Sequence, residues 1–206
     1  MKGKTMIPTT ATDAEFRTYV ENIKNKFNSA RPDQAAKGRA WYPVAHDLAI
    51  MLGDDDVRKG AGIIAALSAN KRWSENVRLA TDAASGNVHG HVGNALDKVR
   101  AIMAGAAPED VLPMTAKTGN FYRNIVDPSD PNAVTIDRHA HDIAVGEVYG
   151  NDDRGLSNPN RYATLARAYM VAAEELGETS SVTQAITWTA QVEMLSGKGT
   201  RGQRSM

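Results

Sequence analysis

The sequence contains no cysteine, and this absence removes several classes of protein at once. Without thiols, the chain forms no disulfides, binds no zinc through thiolates and holds no iron–sulfur cluster. Apolar runs are also short, because none approaches the roughly 18–20 residues that a membrane-spanning helix requires. Residues 1–12 are too polar for a signal peptide. We therefore expect a soluble, cytoplasmic protein that uses no cofactor and no metal.

An excess of charge of either sign is absent as well, since 24 Lys and Arg residues balance 24 Asp and Glu residues. A neutral chain argues against binding nucleic acid through bulk charge alone. Basic residues are nevertheless concentrated in residues 2–39, 58–78 and 197–206, whereas acidic residues cluster at 54–56 and 174–178. Solvated helix faces explain such clusters, and a one-sided basic surface is the alternative.

The alternating pattern of strands is nearly missing, and helical periodicity dominates the chain. Thr12 and Glu15 predict a capping box at the start of the first helix, and Gly53, Gly86 and Gly105 predict helix ends. Helices are predicted after Thr12, with one apolar face over residues 16–27, and in a region up to residue 53 that Pro43 interrupts. Further helices are predicted at 57–68, Trp73–Ala84, 94–104, 137–149, Pro159–Leu176 and 180–195. The sequence therefore predicts an all-α protein.

Two short motifs supply most of the candidates for chemistry. Lys117-Thr118-Gly119-Asn120 places a primary amine at the start of a helix, and Asp137-Arg138-His139 opens another helix twenty positions after that lysine. The residues between them read as a helix, a turn with proline and a short extended segment, which would return Asp137 towards Lys117. An amine is a potential nucleophile, and a carboxylate stabilises positive charge that develops at a carbon centre.

These motifs resemble those of the helix-hairpin-helix DNA glycosylase superfamily, which includes endonuclease III and 8-oxoguanine glycosylase. That family combines a hairpin ending in Lys-Thr-Ala-Asn with a Val-Asp-x-His sequence that opens the next helix. This chain has Lys-Thr-Gly-Asn at 117–120 and Val-Thr-Ile-Asp-Arg-His at 134–139, and its Ile-Ile-Ala-Ala-Leu-Ser-Ala-Asn at 63–70 is similar to a third family segment. The resemblance implies a two-lobed helical fold in one compact unit, 1–206, with a helix-hairpin-helix core at 57–149, a second lobe of 12–56 and 150–196, and a basic flexible tail at 197–206.

The resemblance also implies a role for individual residues. Lys117 would attack the sugar C1′ carbon and displace the base, and Asp137 would stabilise the oxocarbenium-like sugar. The partner would be duplex DNA with a damaged or modified base, flipped out of the stack because the glycosidic bond is otherwise inaccessible. We expect a monomer that acts in base excision repair in a bacterial or phage-infected cell. The DNA contacts are assigned to Asn70, Lys71, Arg72, Trp73, Thr115, Thr118, Asn120, Arg138 and His139.

The hairpin departs from the family pattern at the positions of two glycines. Pro113 and Thr115 stand there, and neither suits a backbone N–H that approaches a phosphate in a left-handed conformation. Gly119 replaces a small packing residue, which predicts a looser helix after the hairpin.

Other interpretations of the same residues stay open. Lys117 is read equally as a surface lysine, and Asp137 as a helix cap. A metal site is the alternative for His89, His91, His139 and His141, or for His46 with Asp47, although neither set has a recognised ligand spacing. Trp41 and Trp188 suit a core, while Trp73 is the candidate for base stacking. Three functions remain: a glycosylase with or without abasic-site lyase activity, a phage-type enzyme of DNA base hypermodification, and a non-catalytic DNA-binding module.

Overall fold

The computed structural model of the protein describes residues 10–202, with side chains for residues 10–197. Helices and no strands are found in this part of the chain, which confirms the prediction of an all-α protein. The helices are α1 (Asp13–Asn28), α2 (Pro32–Leu52), α3 (Val57–Ala66), α4 (Trp73–Ala84), α5 (Gly93–Met103), α6 (Pro108–Val111), α7 (Lys117–Val126), α8 (Arg138–Val145), α9 (Pro159–Leu176) and α10 (Ser180–Gly202).

Local signals in the sequence set several helix ends. The predicted capping box is present at the start of α1, where the Glu15 N–H donates to Thr12 Oγ1 at 3.2 Å and the Thr12 N–H donates to Glu15 Oε2 at 2.8 Å. The bounds of α4 and α9 agree with their predicted ranges. Capping residues and C-terminal glycines therefore determine where several of the helices begin and end.

The predicted interruption at Pro43 is wrong, because α2 runs without a break from Pro32 to Leu52. A proline within a helix removes the hydrogen bond to the carbonyl four residues earlier, here that of Arg39. Both Arg39 and Pro43 are exposed, so water can reach the released carbonyl. The helix continues through the proline because the defect lies on its solvent face.

Several other helix ends differ from the sequence-based expectation, and α5 is shifted by one residue at both of its ends. α3 stops at Ala66 rather than at residue 68, and α10 continues beyond residue 195 to Gly202. α8 stops at Val145 rather than at residue 149, because Gly146 adopts a left-handed conformation, with φ of 82°, and caps it. The side chains of Lys198, Arg201 and Arg204, which supply the charge of the predicted tail, lie outside the described residues.

The chain divides into two compact units, which we call unit 1 (residues 1–39 and 136–206) and unit 2 (residues 40–135). In unit 1, α1 packs against α8, α9 and α10, and α9 also packs against α10. In unit 2, α3 packs against α4, α5, α6 and α7, and every residue of α3 from Gly60 to Ala66 is buried. The lobes predicted at 57–149 and at 12–56 with 150–196 stay a prediction, since they rest on motif order and not on compactness.

Close approach of the backbone explains one glycine of α3. A Cβ added at Gly60 would lie 1.8 Å from the carbonyl oxygen of Ala49 in α2. Any larger residue would therefore push α3 away from the segment of α2 around Ala49. In the described part of the chain, no helix is long and apolar enough to cross a membrane.

Candidate functional site

Asp137 lies at the N-cap of α8, where a buried extended segment meets the helix. The Ile136 N–H before it donates to the Tyr162 hydroxyl at 3.1 Å and fixes the entry of the chain. Asp137 Oδ1 accepts from the N–H groups of His139 and Ala140, at 2.9 and 2.8 Å. The capping interpretation of Asp137 is thus confirmed, and one carboxylate oxygen is enough to provide it.

The second carboxylate oxygen of Asp137 has a partner that a helix cap does not need. Asp137 Oδ2 accepts from the indole N–H of Trp188, on α10, at 3.0 Å. With its two backbone donors, the half-buried carboxylate is held by three N–H groups, which complement its charge and fix its orientation. Sequence reasoning assigned Trp188 to the core, and a contact between residues so far apart in the chain has no sequence signal.

His139 lies beside this carboxylate and packs its ring edge-on against Trp188, with ring centroids 6.2 Å apart. Burial lowers the pKa of His139, the nearby Arg138 and Arg154 lower it further, and Asp137 opposes them. Arg138 Nε donates to His139 Nε2 at 3.2 Å. Because a guanidinium only donates, Nε2 is the acceptor and the neutral ring carries its proton on Nδ1.

A buried polar network occupies the other face of α8. His141 Nδ1 donates to Asp142 Oδ1 at 2.9 Å, and Arg161 Nη2 donates to His141 Nε2 at 3.1 Å. Arg161 Nη1 also donates to the Tyr19 hydroxyl at 3.0 Å, and Arg154 forms two hydrogen bonds to Asp142, at 2.7 and 2.8 Å. This network joins α1, α8 and α9 and accounts for His141 without a metal.

The pKa values of this network follow from its burial and its partners. Burial lowers the pKa of His141, and the Arg161 guanidinium lowers it further while Asp142 opposes both. Burial alone would raise the pKa of Asp142, but hydrogen bonds from Arg154, the His141 ring and the Tyr149 N–H together lower it. At neutral pH, His141 is therefore uncharged, and the network contains two positively charged arginines and one carboxylate.

We expect the free energy of unfolding to fall as pH decreases from about 6.5 towards 5. The pKa values of His141 and His139 are lower in the folded chain than in the unfolded chain, so the unfolded chain binds more protons in this window. Each histidine adds a slope of at most about 1.4 kcal/mol per pH unit. Urea denaturation at several pH values measures it, with His141→Gln expected to reduce the slope. A free energy that is constant or rises between pH 7 and 5 would contradict the expectation.

The histidines that were candidates for a metal site do not lie together in a set of ligands. No group of three or more His, Cys, Asp or Glu side chains that could hold a metal ion occurs among the described residues. His89 Nε2 contacts Asp82 at 3.1 Å, His91 Nε2 contacts the Ala69 carbonyl at 3.0 Å, and His46 Nδ1 contacts the Ile125 carbonyl at 2.8 Å. Each of these rings has a protein partner.

Lys117 belongs to unit 2 and is the first residue of α7. Its side chain is half-buried, and its amine makes no ion pair or hydrogen bond with the part of the chain that the structure describes. The N-cap residue, Ala116, offers no side-chain acceptor to α7. The amine is thus not held by a carboxylate, unlike most of the Lys and Arg side chains that the structure describes.

The hairpin before Lys117 is formed by α6, residues 112–116 and α7. The Ala116 N–H donates to the Pro113 carbonyl at 3.1 Å, and no residue from 112 to 116 has a positive φ. The prediction that Gly119 loosens α7 is wrong: a Cβ at Gly119 would lie 2.2 Å from Met114 Cα. Gly119 therefore allows the hairpin backbone to pack tightly on α7.

The residues assigned to DNA binding have diverse surroundings. Asn70 is exposed in the turn between α3 and α4 with φ of 58°, and Arg72, also exposed, has no ion pair within the described residues. Lys71 forms an ion pair with Glu75 at 2.7 Å, and Trp73 packs on Trp41 with ring centroids 4.8 Å apart. Of the others, Thr115 and Arg138 are exposed, Thr118 is half-buried, and buried Asn120 donates to the Ala116 carbonyl at 3.0 Å.

Acidic residues of α9 and α10 neutralise much of the basic N-terminal segment. Glu175 pairs with Arg17 at 2.5 Å and with Lys24 at 2.7 Å, and Glu193 pairs with Arg31 at 2.8 Å and Lys37 at 2.9 Å. Hydrogen bonds from Lys37, Gln34 and Arg31 hold the pKa of Glu193 down to about 2. Residues 17–37 thus form intramolecular pairs on the surface of unit 1 and not an open basic surface.

Comparison with known proteins gives a family and no activity. No curated protein and no solved structure matches the chain. Residues 5–195, most of the sequence, match DUF7178, described as a family of unknown function. The chain belongs to that family.

Proposed function

We propose that this protein is a DNA glycosylase with a helix-hairpin-helix fold, and that it acts on a damaged or modified base flipped out of duplex DNA. The observation that carries the proposal is the fixed carboxylate of Asp137, held by two backbone N–H groups and the Trp188 indole. The order of the Lys117 and Asp137 motifs, each at the start of a helix, supports the same assignment.

Asp137 supplies the electrostatic part of the proposed chemistry. As the bond between C1′ and the base nitrogen breaks, the base takes the electron pair and the sugar becomes positively charged. A carboxylate stabilises this charge without transferring a proton. Orientation matters because a group that is already fixed need not reorganise when the charge develops, and the three donors to Asp137 provide that fixation.

Lys117 supplies the nucleophile for a lyase step. Its deprotonated Nζ attacks C1′ as the base leaves with the electron pair of the glycosidic bond and takes up a proton. The C1′–O4′ bond then breaks, O4′ takes a proton that Nζ releases, and the Nζ–C1′ bond becomes the double bond of a Schiff base. An amine without an ion pair has no carboxylate to displace before it reacts, and Lys117 is such an amine within the described residues. Exposed Asn70, Arg72 and Arg138 are proposed to contact DNA near the flipped nucleotide.

The hairpin supports a second candidate function on the same fold, a transfer reaction on a flipped base of the kind used in DNA base hypermodification. Its turn has no left-handed residue, and Pro113 has no N–H with which to bind phosphate. This departure from the glycosylase pattern affects the contacts between the hairpin and DNA phosphates, and it does not affect the position of Asp137 at the N-cap of α8.

Borohydride trapping is expected to link the protein covalently to abasic or base-damaged duplex DNA, and Lys117→Ala should abolish the adduct. Borohydride reduces the Schiff base to a stable amine, so the adduct reports nucleophilic attack directly. Lys98→Ala is the matched control, because Lys98 is also half-buried in unit 2 and makes no ion pair within the described residues.

The other outcomes of this experiment separate the candidates. Base release without an adduct would restrict the chemistry to Asp137 and water. DNA binding without base release on any duplex of a broad panel would reject the glycosylase and leave a transfer enzyme or a binding module. An adduct that survives Lys117→Ala would assign the attack to another amine.

A further inference from the structure

Unit 1 contains a groove that is lined neither by Asp137 nor by the residues that donate hydrogen bonds to its carboxylate. It is formed by α1, by the end of α8 with the turn after it, and by α10, and its volume is about 340 Å³. Pockets that hold small organic ligands begin at about 300 Å³. The groove is lined by carboxamides, among them Asn22, Asn25 and Gln191, and by apolar side chains, among them Ile143, Val148 and Met194.

Gln191 is the most informative side chain of the groove. It is only 5% exposed, yet its amide makes no hydrogen bond with any described residue. The amide atoms are not among those sealed from solvent without a partner, so they reach the groove surface that Gln191 lines. A nearly buried carboxamide without a protein partner is unusual, and it indicates a ligand or water supplied from the groove.

Two asparagines of α1 extend the row of carboxamides. Asn22 lines the groove and donates from Nδ2 to the Ala144 carbonyl at 2.9 Å, while its Oδ1 has no hydrogen-bond donor among the described residues. Gly146 makes room for this amide, since a Cβ there would lie 2.8 Å from Asn22 Nδ2. Asn25 is exposed, and its side chain makes no hydrogen bond with the described residues.

The remaining walls are apolar and unusually exposed. Val148 is 51% exposed and Met194 is 37% exposed, whereas Ile143 is buried at the base of the groove. At the rim, Lys26 Nζ lies 3.8 Å from Met194 Sδ, and Glu147 brings the opposite charge. Asp142 is already neutralised by Arg154. The charges in and around the groove therefore balance, which favours an uncharged ligand.

We propose that this groove binds a planar, uncharged nucleobase. A carboxamide places a donor beside an acceptor, the pattern that base edges present, and it pairs with adenine N6–H and N7 through two hydrogen bonds. Aliphatic and thioether side chains suit the faces of such a ring. The inference does not depend on the glycosylase proposal, because neither Asp137 nor Lys117 lines the groove.

Titration of the ¹⁵N-labelled protein with adenosine, followed by amide NMR shifts, is expected to give saturable changes at residues 22–29, 142–148 and 191–194. Gln191→Leu and Asn25→Ala should each raise the Kd about tenfold, the effect of one lost hydrogen bond. Asn28→Ala is the matched control, since Asn28 is exposed on α1 and does not line the groove. Asn25→Ala changes an exposed residue, so the test stands even if Gln191→Leu does not fold.

Further arms of the titration identify the source of the base. Binding of adenosine alone supports a free nucleoside, and binding of an adenine-containing single strand in preference to an abasic strand of equal length supports a base within a strand. Absence of saturable shifts at millimolar adenosine would overturn the proposal, as would a Kd unchanged in both groove variants. Equal binding of the adenine and abasic strands without adenosine binding would show that phosphate is held, and would overturn it as well.

Discussion

Asp137→Asn is expected to reduce the rate of base release from the true DNA substrate by about 100- to 1,000-fold and to change DNA affinity by no more than about threefold. The neutral amide removes the charge that is proposed to stabilise the positive sugar. It also has a single oxygen, which cannot accept from both the α8 backbone and Trp188, as the two carboxylate oxygens do. Single-turnover release of free base and fluorescence polarisation of labelled duplex measure the two quantities.

The control for this variant is Asp56→Asn, which changes a second capping aspartate. Asp56 Oδ1 accepts from the N–H groups of Arg58 and Lys59, at 3.0 and 3.1 Å, in the geometry that Asp137 shows at α8. Asparagine is also a good N-cap, so Asp56→Asn should lose less than about 1 kcal/mol of stability. Asp137→Asn should lose about 1–3 kcal/mol, because the Trp188 N–H also loses its acceptor. If Asp137 is only a cap, the two variants will release base at the same rate. That outcome would reject its catalytic role.

The helices were predictable wherever local rules decide them. α9 begins with Pro159 after the capping residue Asn158 and ends at Gly177 with φ of 68°, so its start and stop signals lie next to the residues they control. Pro43 shows the limit of such rules. The effect of a proline depends on whether the carbonyl that it leaves unpaired faces water. That exposure is set by tertiary packing and cannot be read from the sequence.

The candidate site was predictable in its capping geometry and not in its long-range contacts. The Asp137 cap follows from residue type and position, and the structure confirms it. The contact of Trp188 with Asp137, the contact of Gly119 with Met114 and the buried position of Arg161 all depend on tertiary packing. Periodicity predicted which faces are buried but did not predict which polar groups meet there.

Arg161→Leu is expected to reduce the free energy of unfolding by about 3–5 kcal/mol. Arg161 is 1% exposed, and its guanidinium lies over the Tyr19 ring, 5.5 Å from the centroid. The substitution leaves His141 Nε2 without its donor and removes the donor to the Tyr19 hydroxyl, so two buried polar groups lose a partner. Leucine also fills less volume than arginine, which adds the cost of a cavity. Urea denaturation at pH 7.5 measures the change.

Arg167→Leu on the same helix is the matched control, because Arg167 is exposed and makes no ion pair within the described residues. It should change stability by less than about 0.5 kcal/mol. Arg161 Nε has no hydrogen-bond partner in its buried position, so the wild-type arrangement is itself imperfect. If this cost outweighed the two donated hydrogen bonds, Arg161→Leu would be neutral or stabilising, as replacement of buried charges by apolar residues sometimes is. A loss below about 1 kcal/mol would therefore show that the network does not hold α1, α8 and α9 together. A loss in the expected range with an unchanged Arg167→Leu would show that it does.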